Sequence, residues 1–440
     1  MEHHAQSIDD ALIGGLSYKL KAGASYVTNR RSVSYFASGG NSYAPNGVKV
    51  MKFNLTGDQW LDPSTFRVAF QLNNHNPAQS SGFATPVTPL HWNPAVFFRR
   101  ARLICGGVVV EDIDDFNRLS LMLTSLMTED EQTTMAIEGF GHYDRKITAE
   151  DDTRASYRFE DFDYAGQVMD NRRVMFKPLM GIFNQEKLLP LRYMPMQLEL
   201  ELVNQQGDAV ISGSYESWAH GVNWSISDIQ CKCDLLTLDN SLDNEFASHL
   251  LGGKSLPINL STWNHTNQST GGDKDFSAHI NRAVTRLKSV FLTLKNDDTQ
   301  LYKQCNDFYH PVGYHDAGGH VLYAYGEHQY QIQIGSKLVP EYPITSVSES
   351  FSQLRKTVGK PFKMHSRWYR TRKYVIGLDL EKVSGAGFTG LSTKAGDLMT
   401  INFKDCQDST NAESVPNRMF CALNYDVVIN IQDQGIQLLD

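Results

Sequence analysis

The sequence lacks several features, and each absence narrows what it can be. No apolar run approaches the roughly 18–20 residues that a membrane-spanning helix needs. The start, MEHHAQSIDDALIGG, has neither a basic leader nor an apolar core, so a cytosolic, unprocessed chain is expected. No long Lys/Arg run occurs, and 41 basic against 49 acidic residues leave a net charge of −8. That balance excludes the broad electrostatic footprint of bulk nucleic-acid packaging. Cysteine is sparse as well. Six residues (Cys105, Cys231, Cys233, Cys305, Cys406 and Cys421), scattered through 440, suit reduced and buried thiols better than a disulfide framework. Without a secretory leader, the Asn-x-Ser/Thr sequons at Asn54, Asn223, Asn259, Asn264 and Asn267 read as Asn/Ser/Thr richness.

What is present is β pattern. MQLELELV (Met196–Val203) alternates without a fault, which predicts a strand with one dry and one wet face. Val48–Leu55, Phe66–Leu72, Val222–Leu238, Arg286–Leu294, Lys373–Val383, Asp397–Phe403 and Phe420–Ile431 also read as strands. Polar loops punctuated by Gly and Pro join them, as in antiparallel sandwiches or barrels. At this length the chain exceeds the roughly 250–300 residues of a single core, so two or more domains are expected.

Helices are few. FNRLSLMLTSLM puts Phe116, Leu119, Leu123 and Leu126 on one face, with Asp114-Asp115 placed to cap it. Asp239–Leu251 stops at Gly252-Gly253. A weak helical pattern at Ile8–Leu20 is interrupted by Gly14-Gly15. Residues 1 to about 40 read as an extended arm lying outside any barrel, with Arg30, Arg31, Tyr35 and Phe36 as anchors for another surface.

One pattern occurs twice. In His328–Gly359 a strand breaks at Gly335-Ser336 and resumes; Pro340 and Pro343 make a corner, and a helix with Val347, Phe351, Leu354 and Val358 on one face stops at Gly359. Arg102–Met127 runs in the same order: strand, Gly106-Gly107 break, strand, acidic corner, amphipathic helix. The spacing proposes two similar β domains joined near residues 239–258.

Ile334-Gly335-Ser336 with Pro340, Glu341, Pro343, Ile344, Ser346, Glu349, Leu354 and Gly359 resembles a segment of the major capsid proteins of polinton-like viruses, which are related to those of virophages and adintoviruses. Leu238–Ile258 looks like their connector, and Leu188–Val203 resembles a late strand region of their first barrel. The resemblance implies an all-β chain of two consecutive eight-stranded jelly-roll barrels. It divides the chain into an arm (1–40), a first jelly roll (41–238), a connector helix and corner (239–258) and a second jelly roll (259–440). It further implies homotrimeric, pseudo-hexagonal capsomers tiling an icosahedral virion of a DNA virus, assembled in the host cytoplasm or nucleus. The implied partners are further copies of the chain and a minor capsid (penton) protein; weak contact with packaged DNA is read only from the basic segment His365–Tyr374. No membrane partner and no cofactor are assigned. In this picture Ser261–Asp275 would be an outward-pointing loop.

The remaining motifs carry little chemistry. GAGFTG (Gly385–Gly390) matches a dinucleotide fingerprint, but another strand follows where that fingerprint needs a helix, so it reads as a loop. His310, His315, Asp316 and His320 lack the spacing of a zinc site and read as a polar Gly-rich loop. Cys231 and Cys233, at i and i+2 of a strand, share a face and read as core. HSRWYRTRKY reads as a strand in which Arg367, Arg370, Arg372 and Lys373 are possible genome contacts, with pairing to acidic loops of a neighbour the favoured role. No nucleophile elbow, H-E-x-x-H, phosphate loop or kinase set occurs, so no enzyme is expected. A β-sandwich that binds or hydrolyses carbohydrate is the alternative, because such sites are assembled from scattered residues.

Overall fold

Eight strands organise the first half: β1 (Val27–Phe36), β2 (Val50–Leu55), β3 (Trp60–Asn74), β4 (Phe98–Cys105), β5 (Val108–Ile113), β6 (Asn171–Phe176), β7 (Met196–Leu202) and β8 (Trp224–Leu238). They pair antiparallel in two sheets, β1-β8-β3-β6 and β2-β7-β4-β5. The second half supplies β9 (Leu256–Ser269), β10 (Phe276–Ile280), β11 (Leu287–Lys295), β12 (Gln329–Ile334), β13 (Lys337–Ile344), β14 (Ile376–Asp379), β15 (Met399–Lys404) and β16 (Arg418–Gln432). Their sheets are β9-β16-β11-β14 and β10-β15-β12-β13, the same order repeated strand for strand. Each set is an eight-stranded jelly roll. A last strand, β17 (Gly435–Leu439), pairs with the end of β16. The computed structural model describes residues 27–76, 87–89, 91–141, 171–212, 223–295, 308, 310–312, 314–315, 321–323, 327–362, 364, 366–371, 373–383, 385, 387–394, 398–406 and 415–440. The helical pattern at Ile8–Leu20 lies outside the described residues.

The alternation in β7 works as the sequence suggests. Met196, Leu198, Leu200 and Leu202 are buried, with Leu198 in register with Phe53 of β2 and Leu103 of β4. On the wet face Glu199 meets Lys52 at 2.8 Å, and Glu201 meets Arg99 at 3.1 Å. Opposite this sheet, Phe70 of β3 sets its ring edgewise to Phe97, Phe98 and Phe176. Fully burying each such ring stabilises the barrel by about 1.5–3 kcal/mol. Cys231 and Cys233 are both buried, and burial pushes both thiols up, Cys233 to about 12.

Helices sit at the connections: α1 (Phe116–Ser125), α2 (Glu129–Glu138), α3 (Asn240–Leu251), α4 (Val347–Val358) and α5 (Ser366–Thr371). The doubled pattern is β4-β5-α1 in one barrel and β12-β13-α4 in the other. Gly106 (φ +51°), Gly107 (φ +86°) and Gly335 (φ +60°) make the hairpin turns in the left-handed region that glycine adopts freely. Ser346 caps α4 by accepting from the Glu349 N–H at 3.1 Å. Gly359 (φ +68°) ends the helix, its N–H donating to the Arg355 carbonyl. Asp115 stands at the α1 N-cap but makes no capping bond with its side chain; it accepts from Asn267 at 2.7 Å instead.

Four expectations are corrected. First, residues 27–36 of the presumed arm form β1, paired along β8 from Val27↔Leu238 to Phe36↔Gln230, so the first barrel begins well before residue 41. Only Val33 and Tyr35 turn inward from β1, and its other side chains are mostly exposed, so the strand reads as polar chain. Second, Pro340 and Pro343 lie within β13. The register jumps from Ile332↔Val339 to Tyr330↔Ile344, so Pro340–Pro343 bulges from an edge strand, where a residue without an N–H is tolerated. Third, most of Ser261–Asp275 is strand β9, and no outward loop begins at Ser261. Fourth, HSRWYRTRKY contains helix α5 where a strand was expected.

Candidate assembly interface

The barrels meet where β5 and α1 of the first lie against β9 and β16 of the second. Glu111 of β5 is 2% exposed, and its carboxylate accepts from the backbone N–H groups of Gly181 (2.8 Å) and Ile182 (3.1 Å). It also accepts from the Thr262 hydroxyl of β9 at 2.5 Å. Burial pushes this carboxyl up, and the three hydrogen bonds oppose that shift. Gly181 opens a short 3-10 turn, Gly181–Phe183, pressed onto β9. A Cβ there would overlap the Ser261 carbonyl oxygen and lie 2.9 Å from Leu260 Cδ1.

Farther along the joint, Arg118 of α1 is buried. It donates to the Leu294 carbonyl of β11 at 3.2 Å, and its guanidinium lies 4.1 Å from the Phe420 ring centre in β16. His265 of β9 stacks on Phe420 and lies 3.8 Å from Asp115. Burial, with Arg118 nearby, pushes its imidazole down to about 3, so this histidine is neutral at ordinary pH. Lys187 donates to the Pro257 carbonyl at 2.7 Å. On the C-terminal side Ile436 of β17 covers Gly106, where a Cβ would lie 2.8 Å from its Cδ1.

A cleft of about 390 Å³ remains between the barrels, lined by Leu126, Asn184, Trp263, Lys288, Lys360 and Glu381 among others. Lys288, in its lining, stands 3.8 Å from Glu381 and 3.6 Å from Asp426, which lies beside the cleft.

The residues singled out from the sequence fall in separate places. Arg30 pairs with Asp234 (2.7 Å) and Asp62 (3.5 Å), Arg31 donates to Gln59 (2.6 Å), and Tyr35 donates to the Thr56 carbonyl (3.2 Å). Burial pushes the Tyr35 phenol up to about 12. Three of the four arm anchors therefore hold β1 to its own barrel, while Phe36 is 65% exposed. In the basic segment, Arg370 is exposed and Lys373 half-buried; Arg367 lies in α5, and Arg372 is outside the described residues. The neighbouring aromatics Tyr369 and Tyr374 are core. Their hydroxyls and that of Tyr330 converge on Ser350 at 3.0–3.1 Å, and Tyr374 also meets His328 Nε2 at 2.9 Å. His310 is buried beside His328, whereas Asp316 and His320 lie outside the described residues. Among the described residues no His, Cys, Asp or Glu cluster suits a metal, and no helix is long and apolar enough to cross a membrane. Phe388, in the GAGFTG loop, donates its N–H to Asp426 at 2.8 Å.

Sequence reasoning missed Glu111, Arg118 and His265. The one available signal was an acid directly after three valines in VVVEDI.

No protein-family model and no curated protein matches the sequence. Solved structures do match over nearly the whole chain. The crystal structure of PBCV-1 VP54, fitted into a reconstruction of the virophage Sputnik, aligns with a TM-score of 0.62 at 12% identity, covering 96% of this chain and 99% of that one. The Faustovirus major capsid protein aligns at 0.57 and 8% identity (95% and 92% covered), and the mavirus major capsid protein at 0.52 and 9% identity (96% and 92% covered). The fold is the double jelly roll of viral major capsid proteins. The resemblance to capsid proteins read from the sequence is thus met at the level of the double jelly-roll fold. The carbohydrate alternative finds no support in these likenesses.

Proposed function

We propose that the chain is a major capsid protein, a structural subunit whose homotrimers form pseudo-hexagonal capsomers of an icosahedral virion. The observation that carries this reading is the doubled topology: two jelly rolls with one strand order, locked by a buried joint, in a chain that aligns end to end with capsid proteins. Three chains bring six like barrels together, which is how a trimer fills a six-sided place in a shell. Its partners in this reading are neighbouring capsomers and a penton protein. The exposed Arg370 offers at most a weak contact with DNA, since single exposed cations bind phosphate feebly. The place of assembly is the host cytoplasm or nucleus. Light scattering coupled to size exclusion tests the reading. A mass of three chains supports it, and a monomer at micromolar concentration that persists on concentration or salt addition overturns it.

A further inference from the structure

Beside the covered part of the joint, the second barrel turns a row of side chains towards the cleft. Trp263 of β9 is in register with Asn424 of β16, Asn424 with Ser289 of β11, and Ser289 with Asp379 of β14. Residues paired in this way across adjacent strands share a face, and all four line the cleft. At about 4.8 Å per strand the row runs about 14 Å. It presents an indole ring, a carboxamide, a hydroxyl and a carboxylate in that order.

The row is held firmly and only partly covered. Trp263 is half-buried, with its ring centre 5.7 Å from that of Phe291, and Asn424 donates to the Thr262 carbonyl at 3.4 Å. Leu126 and Met127 after α1 and Val358 at the end of α4 add apolar walls. Among the charged residues of the lining, Lys360 is paired with Glu131 of α2 at 3.1 Å, which leaves Lys288 and Lys356 against Asp379 and Glu381. Those charges cancel, so the cleft suits a neutral polar ligand better than an ion. The Glu381 side chain is only 8% exposed; one carboxylate oxygen accepts from the Gly385 N–H at 2.8 Å, while the other, 3.8 Å from Lys288 Nζ, has no hydrogen-bond partner among the described residues. A buried acceptor in that condition is uncommon, and a ligand hydroxyl relieves it. A second cavity of about 390 Å³ shares Asn184, Trp263, Lys288 and Asn424 and continues past Asn259 and Phe388.

We propose that this cleft binds a neutral oligosaccharide, with the C–H face of one sugar stacked on Trp263 and hydroxyls bonded along the row to Asn424, Ser289, Asp379 and Glu381. A pyranose is amphipathic. The C–H groups on its face suit an indole, and the hydroxyls at its edge both donate and accept, as a lining of amide, hydroxyl, carboxylate and lysine requires. At about 390 Å³ the cleft falls within the roughly 300–1,000 Å³ of ordinary ligand sites, and its floor on four paired strands is formed in advance. Every group comes from one chain, so the site does not depend on the trimeric reading; it adds glycan recognition to a structural subunit.

The test applies the full chain to an array of printed neutral oligosaccharides, with sialylated and sulfated glycans beside them, and measures the strongest neutral ligand by calorimetry. Wild type should bind neutral glycans in preference to charged ones. Asn184→Trp, at an exposed position on the wall that the first barrel supplies, should block binding with unchanged circular dichroism. Trp263→Ala should weaken it by about tenfold or more. Ser348→Trp, on the exposed side of α4 and outside the lining, is the control and should bind as wild type does. No neutral glycan bound by wild type, a preference for charged glycans, or wild-type affinity in Asn184→Trp overturns the site. Should Trp263→Ala lose its circular dichroism, Asp379→Asn takes its place with a weakened affinity expected, and wild-type affinity in both Asp379→Asn and Asn184→Trp overturns the site. Each of these failures leaves the mass of three chains, and with it the capsid reading, untouched.

Discussion

Replacing Gly181 by alanine puts one methyl group into the joint between the barrels. The added carbon would overlap the Ser261 carbonyl and approach Leu260 Cδ1 to 2.9 Å and Ser261 C to 3.0 Å. The leucine tip can turn aside. The Ser261 backbone cannot move freely, because β9 is held to β16 through Leu260↔Val427 and Ser261↔Asp426. The Gly181 turn must therefore move away, and its N–H and that of Ile182 move away from Glu111, which now holds them at 2.8 and 3.1 Å. Overpacking costs about 1–3 kcal/mol, and a buried N–H left without its acceptor costs about 1–3 kcal/mol more. A loss of about 3 kcal/mol is expected, read as a lower urea midpoint at fixed protein concentration. Gly207→Ala, where an added carbon meets nothing within 4 Å, serves as the reference. If Gly181→Ala unfolds at the same midpoint as Gly207→Ala, the joint is not packed as described.

Glu111→Ala should cost about 3 kcal/mol in the same assay, because two backbone N–H groups and the Thr262 hydroxyl lose a buried acceptor; a change below about 0.5 kcal/mol would contradict this. Gly335→Val forces a β-branched residue to φ +60° and should lower stability by about 1–3 kcal/mol, with wild-type melting as the refuting result. Burial pushes His328 and His265 down to about 3, so both stay neutral in the folded chain while unfolded imidazoles with pKa near 6.5 take protons. Stability is therefore full above about pH 6.5 and declines as pH falls towards about 3, by about 2 kcal/mol per histidine at pH 5; His328→Gln should flatten that decline, and an unchanged pH dependence would refute it. A chain starting at residue 41 lacks β1, uncovers β8 and should fail to fold as a soluble barrel; normal circular dichroism and melting would show that β1 is dispensable.

Much of the fold was legible because its strands have one wet face and its hairpins carry glycine. Leu198 beside Glu199 in β7, and Gly335 between two short alternating runs, point to pairing and turning without any tertiary information. What stayed hidden was hidden by neighbours. Strand β9 carries Thr262, His265 and Asn267, and it looks like a solvated loop until the first barrel is placed against it. Strand β1 is an edge strand whose Arg30 and Arg31 bond within its own barrel, yet its composition is that of an arm. In α5 the buried Tyr369 and exposed Arg370 fit a strand as well as a helix when read as sequence. The joint was the least legible part, since Glu111 and Arg118 are charged and burial of charge is set by partners a linear pattern does not show.

Cryo-microscopy of the purified protein decides whether the chain is a capsid subunit. A capsid subunit should appear as flat, three-fold particles with a hexagonal outline and six barrel densities in each. Dispersed two-lobed single chains, at concentrations where capsid subunits associate, would contradict it.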